Sequence, residues 1–194
     1  MSKVKIQAQV LSQARLSEDV YDLWIQAPEI VREAKAGQFV SVYSRDGAHL
    51  LPRPISICEL NRAEGSLRLV YRTVGYGTRE FSRLAGGDTL EILGPLGNGF
   101  PLTEKKAMLI GGGIGIPPMV GLAKEVTGEK EIVAGYRDAL FLKDDLEQYG
   151  RVTVATEDGS AGVHGNVLDA VREKQLSAEV IYACGPSPML RAVK

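Results

Sequence analysis

Cysteine and histidine are scarce in this chain of 194 residues. It has two cysteines, Cys58 and Cys184, and two histidines, His49 and His164. Two cysteines cannot supply the four thiolates of a zinc or iron–sulfur site, and a lone disulfide is not expected in a reducing compartment. Neither histidine stands beside a second ligand or a nucleophile, so both are interpreted as loop residues.

Long apolar runs and an excess of one charge are also missing. No segment approaches the roughly 20 apolar residues of a membrane span. The first ten residues, MSKVKIQAQV, alternate polar and apolar side chains and lack the apolar block of a signal peptide. The net charge of -1 gives no reason to expect a nucleic acid or an anionic membrane as partner. The expectation is a cytoplasmic protein.

The first hundred residues have the pattern of short β-strands. Runs rich in β-branched and aromatic residues are separated by Gly, Pro, Asn and Asp, as in a small antiparallel barrel. One helix is predicted around residues 77–85, where Phe81 and Leu84 would share a face. The predicted strands lie at 4–16, 19–27, 37–44, 53–60, 66–74 and 88–97.

After residues 101–106 the pattern changes to buried strands alternating with helices. Near-continuous apolar strands are typical of a parallel sheet covered on both faces. The predicted fold class is therefore an N-terminal antiparallel β-barrel, residues 1–102, followed by a doubly wound parallel α/β domain, residues 103–194.

A glycine-rich turn follows the first buried strand of the second half. The segment MLIGGGIGIPPM runs from the strand through Gly111, Gly112, Gly113, Ile114 and Gly115 into a helix that begins at Pro117-Pro118. Glycine allows close approach of a ligand, and the N–H groups at a helix start favour phosphate. The spacing is not that of the common G-x-G-x-x-G dinucleotide motif. A tight turn without a ligand is the alternative.

Two later strands end in residues suited to a dinucleotide. Ligands of open α/β sheets bind outside the carboxyl ends of the strands. Cys184, Gly185 and Pro186 follow one strand end, although a cysteine taken alone is more often just a small buried apolar residue. Glu157 and Asp158 follow another, and their charges favour ribose hydroxyls over a 2′-phosphate. NAD is therefore predicted in preference to NADP.

Three short motifs in the first half suggest a second anion site. Arg53 lies between two prolines in LLPRPISICEL, and a guanidinium matches phosphate oxygens with two parallel donors. VYR at 70–72 and GYGT at 75–78 lie at the next strand and helix start. Each motif alone is compatible with a solvated arginine at a strand edge, or with Thr78 as an ordinary helix cap.

Taken together and in this order, the motifs resemble the ferredoxin–NADP reductase superfamily. Within this superfamily, the chain is most similar to the electron transfer subunits of dihydroorotate dehydrogenase B. The segments that carry this resemblance are LLPRPISI, LVYRTVGYGT, LIGGGIGIPP and CGPSPML. The resemblance covers residues 5 to 194. It implies an FAD-binding barrel and an NAD-binding α/β domain, with chemistry carried by the cofactors and no catalytic side chain or metal ligand in this chain.

The resemblance also implies which residues hold the cofactors. Flavin contacts are expected at Arg53, Pro54, Ile55, Ser56, Val70, Tyr71, Arg72, Gly75, Gly77 and Thr78. Contacts with the NAD dinucleotide are expected at Gly111, Gly112, Gly113, Ile114, Gly115, Glu157, Asp158, Cys184, Gly185 and Pro186, with Cys184 near the nicotinamide.

The function that this resemblance implies is electron transfer from NADH through FAD to a catalytic dihydroorotate dehydrogenase subunit, in a heterotetramer of pyrimidine biosynthesis. Relatives continue into a cysteine cluster that binds [2Fe–2S], which this sequence lacks. A truncated fragment is expected, and a cluster-free relative is the alternative. Two other functions stay open: a reductase subunit of a sulfide dehydrogenase or ferredoxin reductase, and a non-catalytic flavin-binding regulatory module.

Overall fold

The computed structural model describes residues 3–46 and 50–194, so the interpretation of His49 lies outside the described residues. The chain divides into two compact units, Met1–Phe100 and Pro101–Lys194. We call them the barrel unit and the α/β unit.

The barrel unit is a closed barrel of six strands in the order β1-β2-β5-β4-β3-β6, with every neighbouring pair antiparallel. The strands are β1 (Val4–Arg15), β2 (Val20–Gln26), β3 (Phe39–Val42), β4 (Arg53–Asn61), β5 (Ser66–Arg72) and β6 (Thr89–Leu96). The six strands predicted from the sequence are confirmed.

Side-chain alternation explains why these strands close around one core. Successive residues of a strand face opposite sides, so Leu67, Leu69 and Tyr71 of β5 all point inward. On the other side of the same strand, Arg68 binds Asp22 of β2 with two charge-assisted hydrogen bonds of 2.9 and 2.8 Å. The strand therefore fills the barrel with one face and forms a largely buried ion pair with the other.

Two short helices accompany the barrel, α1 (Pro28–Glu33) and α2 (Tyr76–Phe81). The first was not predicted, although Pro28 at its first turn and the adjacent Ile30 and Val31, both in the core, are a recognisable signal. The predicted helix at 77–85 is confirmed in position but is shorter. Phe81 and Leu84 are both buried as expected, but Leu84 lies three residues beyond the end of the helix, so the two do not share a helix face.

The α/β unit is a parallel sheet in the order β10-β9-β8-β7-β11. Its strands are β7 (Ala107–Gly112), β8 (Lys130–Tyr136), β9 (Arg151–Thr156), β10 (Val163–His164) and β11 (Val180–Cys184). Its helices are α3 (Pro117–Glu125), α4 (Lys143–Glu147), α5 (Val167–Glu173) and α6 (Ser187–Val193).

Helices cover the two faces of this sheet in pairs. α3 contacts α4, whereas α5 contacts α6, so the sheet is doubly wound as predicted. The helix start at Pro117 is confirmed. The interpretation of His164 as a loop residue is wrong, because it lies in the two-residue strand β10, where it pairs with Thr156. A strand this short carries too little periodicity to be detected.

Among the described residues, no helix is long and apolar enough to span a bilayer.

Candidate functional site

Arg53 opens strand β4, and the prolines on either side of it are accommodated at the beginning of that strand. Val42 of β3 pairs with Arg53, and Ser41 pairs with the exposed Pro54. Proline is tolerated at a strand start because few ladder bonds are lost there. The Nη1 atom of Arg53 donates to the carbonyl oxygen of Leu51 at 2.6 Å. This hydrogen bond and the two flanking prolines restrain the segment that carries the guanidinium.

One edge of residues 53–56 is left without a strand partner from β5. Pairing between β4 and β5 begins only at Ile57 and Leu69, after which a bulge follows at Cys58. Towards its start, β4 pairs with β3 alone, up to the register of Phe39 with Ser56. Ile55 is buried and Ser56 half-buried. This segment thus offers backbone polar groups beside the place where β5 separates from β4 and stays paired with β2 alone.

Helix α2 enters that place, and its first turn contacts Arg53. A Cβ atom built on Gly77 would lie 3.1 Å from Nε and 3.2 Å from Cγ of Arg53. The absence of a side chain at Gly77 therefore lets the arginine stem lie against the helix. A Cβ on Gly75 would meet no atom within 4 Å, so the backbone there faces open space. The structure brings the two predicted motifs, at 53–56 and 75–78, together.

The hydroxyl of Thr78 holds the start of this helix. It accepts hydrogen bonds from the N–H groups of Val74 at 2.9 Å and Gly75 at 3.2 Å, and it donates to the Gly75 carbonyl at 3.1 Å. Gly75 is the residue that caps the helix, and Thr78 is the third helical residue. The interpretation of Thr78 as the cap itself is therefore wrong. With its hydroxyl committed to the turn, Thr78 can offer a ligand its backbone N–H.

The three β5 residues of the predicted flavin site differ in what they can contribute. The ring of Tyr71 lies in the barrel core, stacked on Tyr21 with centroids 5.9 Å apart, so this residue can line a ligand only with its backbone. Burial and the neighbouring Tyr21 raise the pKa of its hydroxyl well above the ordinary value. Val70 is buried too, whereas the half-buried Arg72 has its Nε 3.1 Å from Oδ2 of Asp19.

Exposed apolar side chains flank this arginine and helix. Large apolar residues are normally covered, and contiguous exposed ones mark binding surfaces. Exposed apolar residues precede Arg53 in the sequence and surround the start of α2. A guanidinium beside such residues suits a ligand that combines phosphate with a flat ring. The residues and their exposed fractions are Leu50 at 80%, Leu51 at 76%, Val74 at 74% and Tyr76 at 50%.

In the α/β unit, the predicted dinucleotide residues lie at the switch point of the sheet. β7 has β8 on one side and β11 on the other, and Gly111 is in register with Cys184. The turns after β7 and β11 are therefore side by side, with α3 and α6 leaving in different directions. Open α/β sheets bind ligands in the crevice at such a point.

The glycines of the first turn serve two different purposes. Added Cβ atoms would lie 2.9 Å from Ile116 Cα at Gly111, 2.4 Å from Met189 Sδ at Gly112 and 2.2 Å from the Cys184 carbonyl oxygen at Gly115. These three glycines permit close packing within the protein. Gly113 differs, because its φ is +52° and a Cβ would meet nothing within 4 Å. Of these glycines, only Gly113 leaves open space for a ligand.

Met189 of α6 joins the two turns. Its thioether fills the space left by the missing side chains of Gly112 and Gly185, since a Cβ on Gly185 would lie 2.6 Å from the Met189 Cε. Methionine is flexible enough to fill such a notch. Sequence reasoning missed this residue. Its place four residues after a strand-end glycine in CGPSPML was the available signal.

Cys184 is half-buried at the end of β11. Burial disfavours the thiolate and raises the pKa of the thiol above its ordinary value. At neutral pH the side chain is thus an uncharged thiol, and its carbonyl oxygen packs against Gly115. These properties suit contact with an uncharged ring. The neighbouring Pro186 is exposed, and Ile114 is 41% exposed.

The two predicted acidic residues lie farther along the same edge, after β9. Two strands separate them from β11, because β8 and β7 intervene. Both are exposed, and Asp158 accepts from the backbone N–H of Ser160 at 3.0 Å and from its hydroxyl at 2.7 Å, bonds that lower its pKa. The Asp158 N–H donates to the carbonyl of Arg137 at 3.3 Å. Arg137, missed in the sequence, is a cation beside the predicted ribose site.

The residues present fit the two cofactors that the sequence implies, and they do not fit the cluster. The barrel unit offers a guanidinium, exposed apolar surface and open backbone, which suit FAD. The α/β unit offers an open left-handed glycine beside a neutral thiol, which suits a dinucleotide. Within residues 3–46 and 50–194, no group of three or more His, Cys, Asp or Glu side chains could hold a metal ion.

Comparison with known proteins agrees with a dinucleotide-binding fold in the α/β unit. Residues 109–194 match the family described as the oxidoreductase NAD-binding domain. The dihydroorotate dehydrogenase B (NAD(+)) electron transfer subunit of Geobacillus kaustophilus (strain HTA426) is 41% identical over 194 residues, which cover 95% of this chain and 76% of that protein. The chain belongs to the family of dihydroorotate dehydrogenase B electron transfer subunits.

A second electron transfer subunit of dihydroorotate dehydrogenase B, from Listeria monocytogenes serotype 4a (strain HCC23), is 40% identical and covers 98% of this chain and 78% of its own. Among solved structures, the NADH-dependent reduced ferredoxin-NADP oxidoreductase has a TM-score of 0.88 at 29% identity, covering 97% of this chain and 71% of its own. The ferredoxin reductase in carbazole 1,9a-dioxygenase, at 23% identity and a TM-score of 0.82, shares the fold and covers 99% of this chain and 64% of its own. Like the electron transfer subunits, this chain is an oxidoreductase of the ferredoxin reductase type.

Proposed function

We propose that this chain binds FAD in the barrel unit and NADH in the α/β unit, and passes electrons to a catalytic dihydroorotate dehydrogenase subunit. Membership of the electron transfer subunit family supports the partner. The observation that carries the flavin site is the contact of Arg53 with the first turn of α2 at Gly77. This contact brings together groups that can bind phosphate from two segments 24 positions apart in the sequence.

In the barrel unit, Arg53 binds the flavin pyrophosphate with its guanidinium, and Gly77 and Thr78 add backbone N–H groups of the first helical turn, which have no acceptor within the helix. Gly75 keeps the approach open. Pro54, Ile55 and Ser56 lie along the ring at the free edge of β4, with the backbone of residues 70–72 beside them. The exposed Leu51 and Val74 are covered by the ligand.

In the α/β unit, Gly113 admits the dinucleotide phosphates while Gly111, Gly112 and Gly115 hold the turn in shape. Ile114 packs on the dinucleotide, and Cys184, Gly185 and Pro186 face its nicotinamide end. Glu157 and Asp158 bind the ribose hydroxyls. Their negative charges repel a 2′-phosphate, so NADH is favoured over NADPH.

FAD bound in the barrel unit would supply the chemistry of hydride acceptance and of release of single electrons. The chain's own residues bind and orient the two cofactors, and none is assigned a proton transfer. Cys184 stays protonated at neutral pH and adds no charge near the nicotinamide. No step is assigned to a [2Fe–2S] cluster, because the described residues contain no ligand set for one.

Anaerobic titration of the purified chain, reconstituted with FAD, tests the cofactor assignment. We expect quenching of flavin fluorescence on binding, and bleaching of the flavin absorbance by NADH faster than by NADPH. A chain that binds no FAD contradicts the proposal. Retained FAD that NADH does not bleach indicates the non-catalytic flavin-binding module instead. Bleaching by NADPH at an equal or higher rate contradicts the role of Glu157 and Asp158.

Copurification tests the partner. We expect the tagged chain, expressed in the organism that encodes it, to copurify with a catalytic subunit that oxidises dihydroorotate to orotate. The mass of the purified complex shows whether it is a heterotetramer. A second candidate is a reductase of ferredoxin-type acceptors, which the likeness to the NADH-dependent reduced ferredoxin-NADP oxidoreductase favours. Reduction of ferredoxin without dihydroorotate oxidation would support that candidate.

A further inference from the structure

Gln13 of β1 carries a polar side chain on the core side of the barrel. A bulge between Val10 and Ser12 shifts the register of β1 against β2, so that Val10 pairs with Ile25 but Gln13 pairs with Leu23. Ile25 and Leu23 both point into the core. Bulges redirect side chains in this way. Without it, the regular alternation from Val10 would direct Ser12 inward and Gln13 outward.

The Gln13 amide bonds to two elements of the predicted flavin site. Its Nε2 donates to the carbonyl oxygen of Phe81 at 3.1 Å and to that of Leu84 at 2.8 Å. Its Oε1 accepts from the hydroxyl of Tyr71 at 2.8 Å. One side chain thereby ties the end of α2 to the end of β5.

Helix α2 needs such external support. It has six residues, too few to be stable alone. The last carbonyls of a helix lack partners within it, and Gln13 supplies a donor to the carbonyl of its last residue, Phe81. Near the other end of the helix, Gly77 contacts Arg53. The orientation of α2, which the Gln13 amide helps to fix, therefore sets where its first turn meets the guanidinium.

We propose that Gln13 is a positioning residue of the flavin site: its amide holds α2 and β5 in the arrangement that places Gly77 against Arg53. This inference rests on the proposed function, because it concerns the FAD site assigned there. Gln13 is assigned no contact with either cofactor. It acts through Tyr71 and through the backbone of α2.

The barrel unit contains a matched control in Gln26 of β2. Its Nε2 also donates to two backbone carbonyls, those of Glu64 at 2.8 Å and Gly65 at 3.2 Å, in the turn between β4 and β5. Both glutamines lie near the end of a barrel strand, and both are half-buried. Loss of either set of hydrogen bonds should lower the free energy of unfolding by a similar amount. Of the two glutamines, only Gln13 is bonded to α2.

The experiment compares Gln13→Glu with Gln26→Glu in the full chain. Glutamate keeps the size and the acceptor but removes both donors. We expect Gln13→Glu to raise the Kd for FAD about tenfold and Gln26→Glu to change it less than about twofold, at similar losses of apo-protein Tm. Hydrogen exchange of the α2 amides in the apo-protein should accelerate in Gln13→Glu alone.

A second variant covers the case in which Gln13→Glu does not fold. Tyr71→Phe removes only the hydroxyl that orients the Gln13 amide, and we expect a rise of about threefold in the Kd for FAD with the same faster exchange in α2. Equal FAD affinities and equal α2 exchange in the Gln13 and Gln26 variants, or in Tyr71→Phe and the wild type, overturn the inference. Failure of the wild-type chain to bind FAD would instead overturn the proposed function.

Discussion

The barrel unit and the α/β unit build their candidate phosphate sites from different materials. In the barrel unit, side chains do the positioning: the Thr78 hydroxyl closes the start of α2, and the Gln13 amide supports its end. In the α/β unit, glycines shape the site. Because Gly112 and Gly115 have no Cβ, Met189 and the Cys184 carbonyl can approach the backbone more closely than any other residue would allow.

This difference determines which changes each unit tolerates. A turn shaped by absent Cβ atoms should fail when one carbon is added, and it depends little on any polar side chain. Where a site is shaped by hydrogen bonds and a guanidinium, the fold should tolerate an added carbon in open space, as at Gly75, and the site should fail when a polar group is removed. Each of the following substitutions tests one side of that contrast.

Gly115→Ala should have the largest effect. The new Cβ would lie 2.2 Å from the Cys184 carbonyl oxygen, a backbone atom that cannot move without separating β7 from β11. We expect a loss of about 3 kcal/mol or more in the free energy of unfolding, at the upper end of overpacking costs. Chemical denaturation with hydrogen exchange in β7 and β11 measures it. Gly75→Ala, whose Cβ would meet nothing within 4 Å, is the control in the barrel unit and should cost about 1 kcal/mol or less, since alanine caps a helix less well than glycine.

Arg53→Ala should be the most damaging change to the barrel site. Removing a charge-assisted contact with phosphate should weaken FAD binding by about 10- to 100-fold, with a change in Tm of the apo-protein of only a few degrees. Fluorescence quenching gives the Kd. Arg15→Ala is the control, since Arg15 also donates to backbone carbonyls, those of Ser17 and Glu18, on the same barrel. Equal FAD affinity in the two variants would show that Arg53 is only a structural arginine.

Gly113→Ala separates ligand contact from packing within a single turn. Its Cβ meets no protein atom, but the φ of +52° costs an alanine about 1 kcal/mol. We therefore expect a folded protein with slightly lower stability and a Kd for NADH raised about tenfold by the obstructed approach, measured by titration at constant FAD. If NADH affinity stays at the wild-type value, Gly113 does not face the dinucleotide.

The sequence was sufficient to predict the two architectures because their signals are local. Runs of alternating polar and apolar residues predicted the barrel strands. Near-continuous apolar runs, such as that at 107–112, predicted the parallel sheet. The motifs at Arg53 and Gly77, 24 positions apart, were placed together by the resemblance, and the structure shows why they meet. α2 packs where β4 and β5 separate.

The roles of individual glycines, and of Gln13, could not be predicted. Gly112 and Gly113 are adjacent and chemically identical, and only the position of Met189, 77 residues later, distinguishes packing from open space. Gln13 follows an ordinary alternating strand, and its inward direction depends on a bulge that leaves no mark in the sequence. Both features arise from tertiary contacts between distant segments. Local patterns do not carry that information.

The smallest expected effect concerns the two thiols, one in each unit. Cys58 is fully buried in β4, whereas Cys184 is half-buried with a raised pKa caused by burial. Iodoacetamide should therefore alkylate Cys184 at neutral pH several-fold more slowly than a free thiol and Cys58 only on unfolding, as followed by mass spectrometry.

Above the pH at which an ordinary thiol ionises, the unfolded chain releases the Cys184 proton before the folded one does. The contribution of this group to stability is thus full below that pH and falls as pH rises through the raised pKa. Bound NADH should slow Cys184 alkylation further and leave Cys58 unaffected. Alkylation of Cys184 at the rate of a free thiol near pH 7, unchanged by NADH, would show that the end of β11 neither buries the thiol nor meets the nicotinamide.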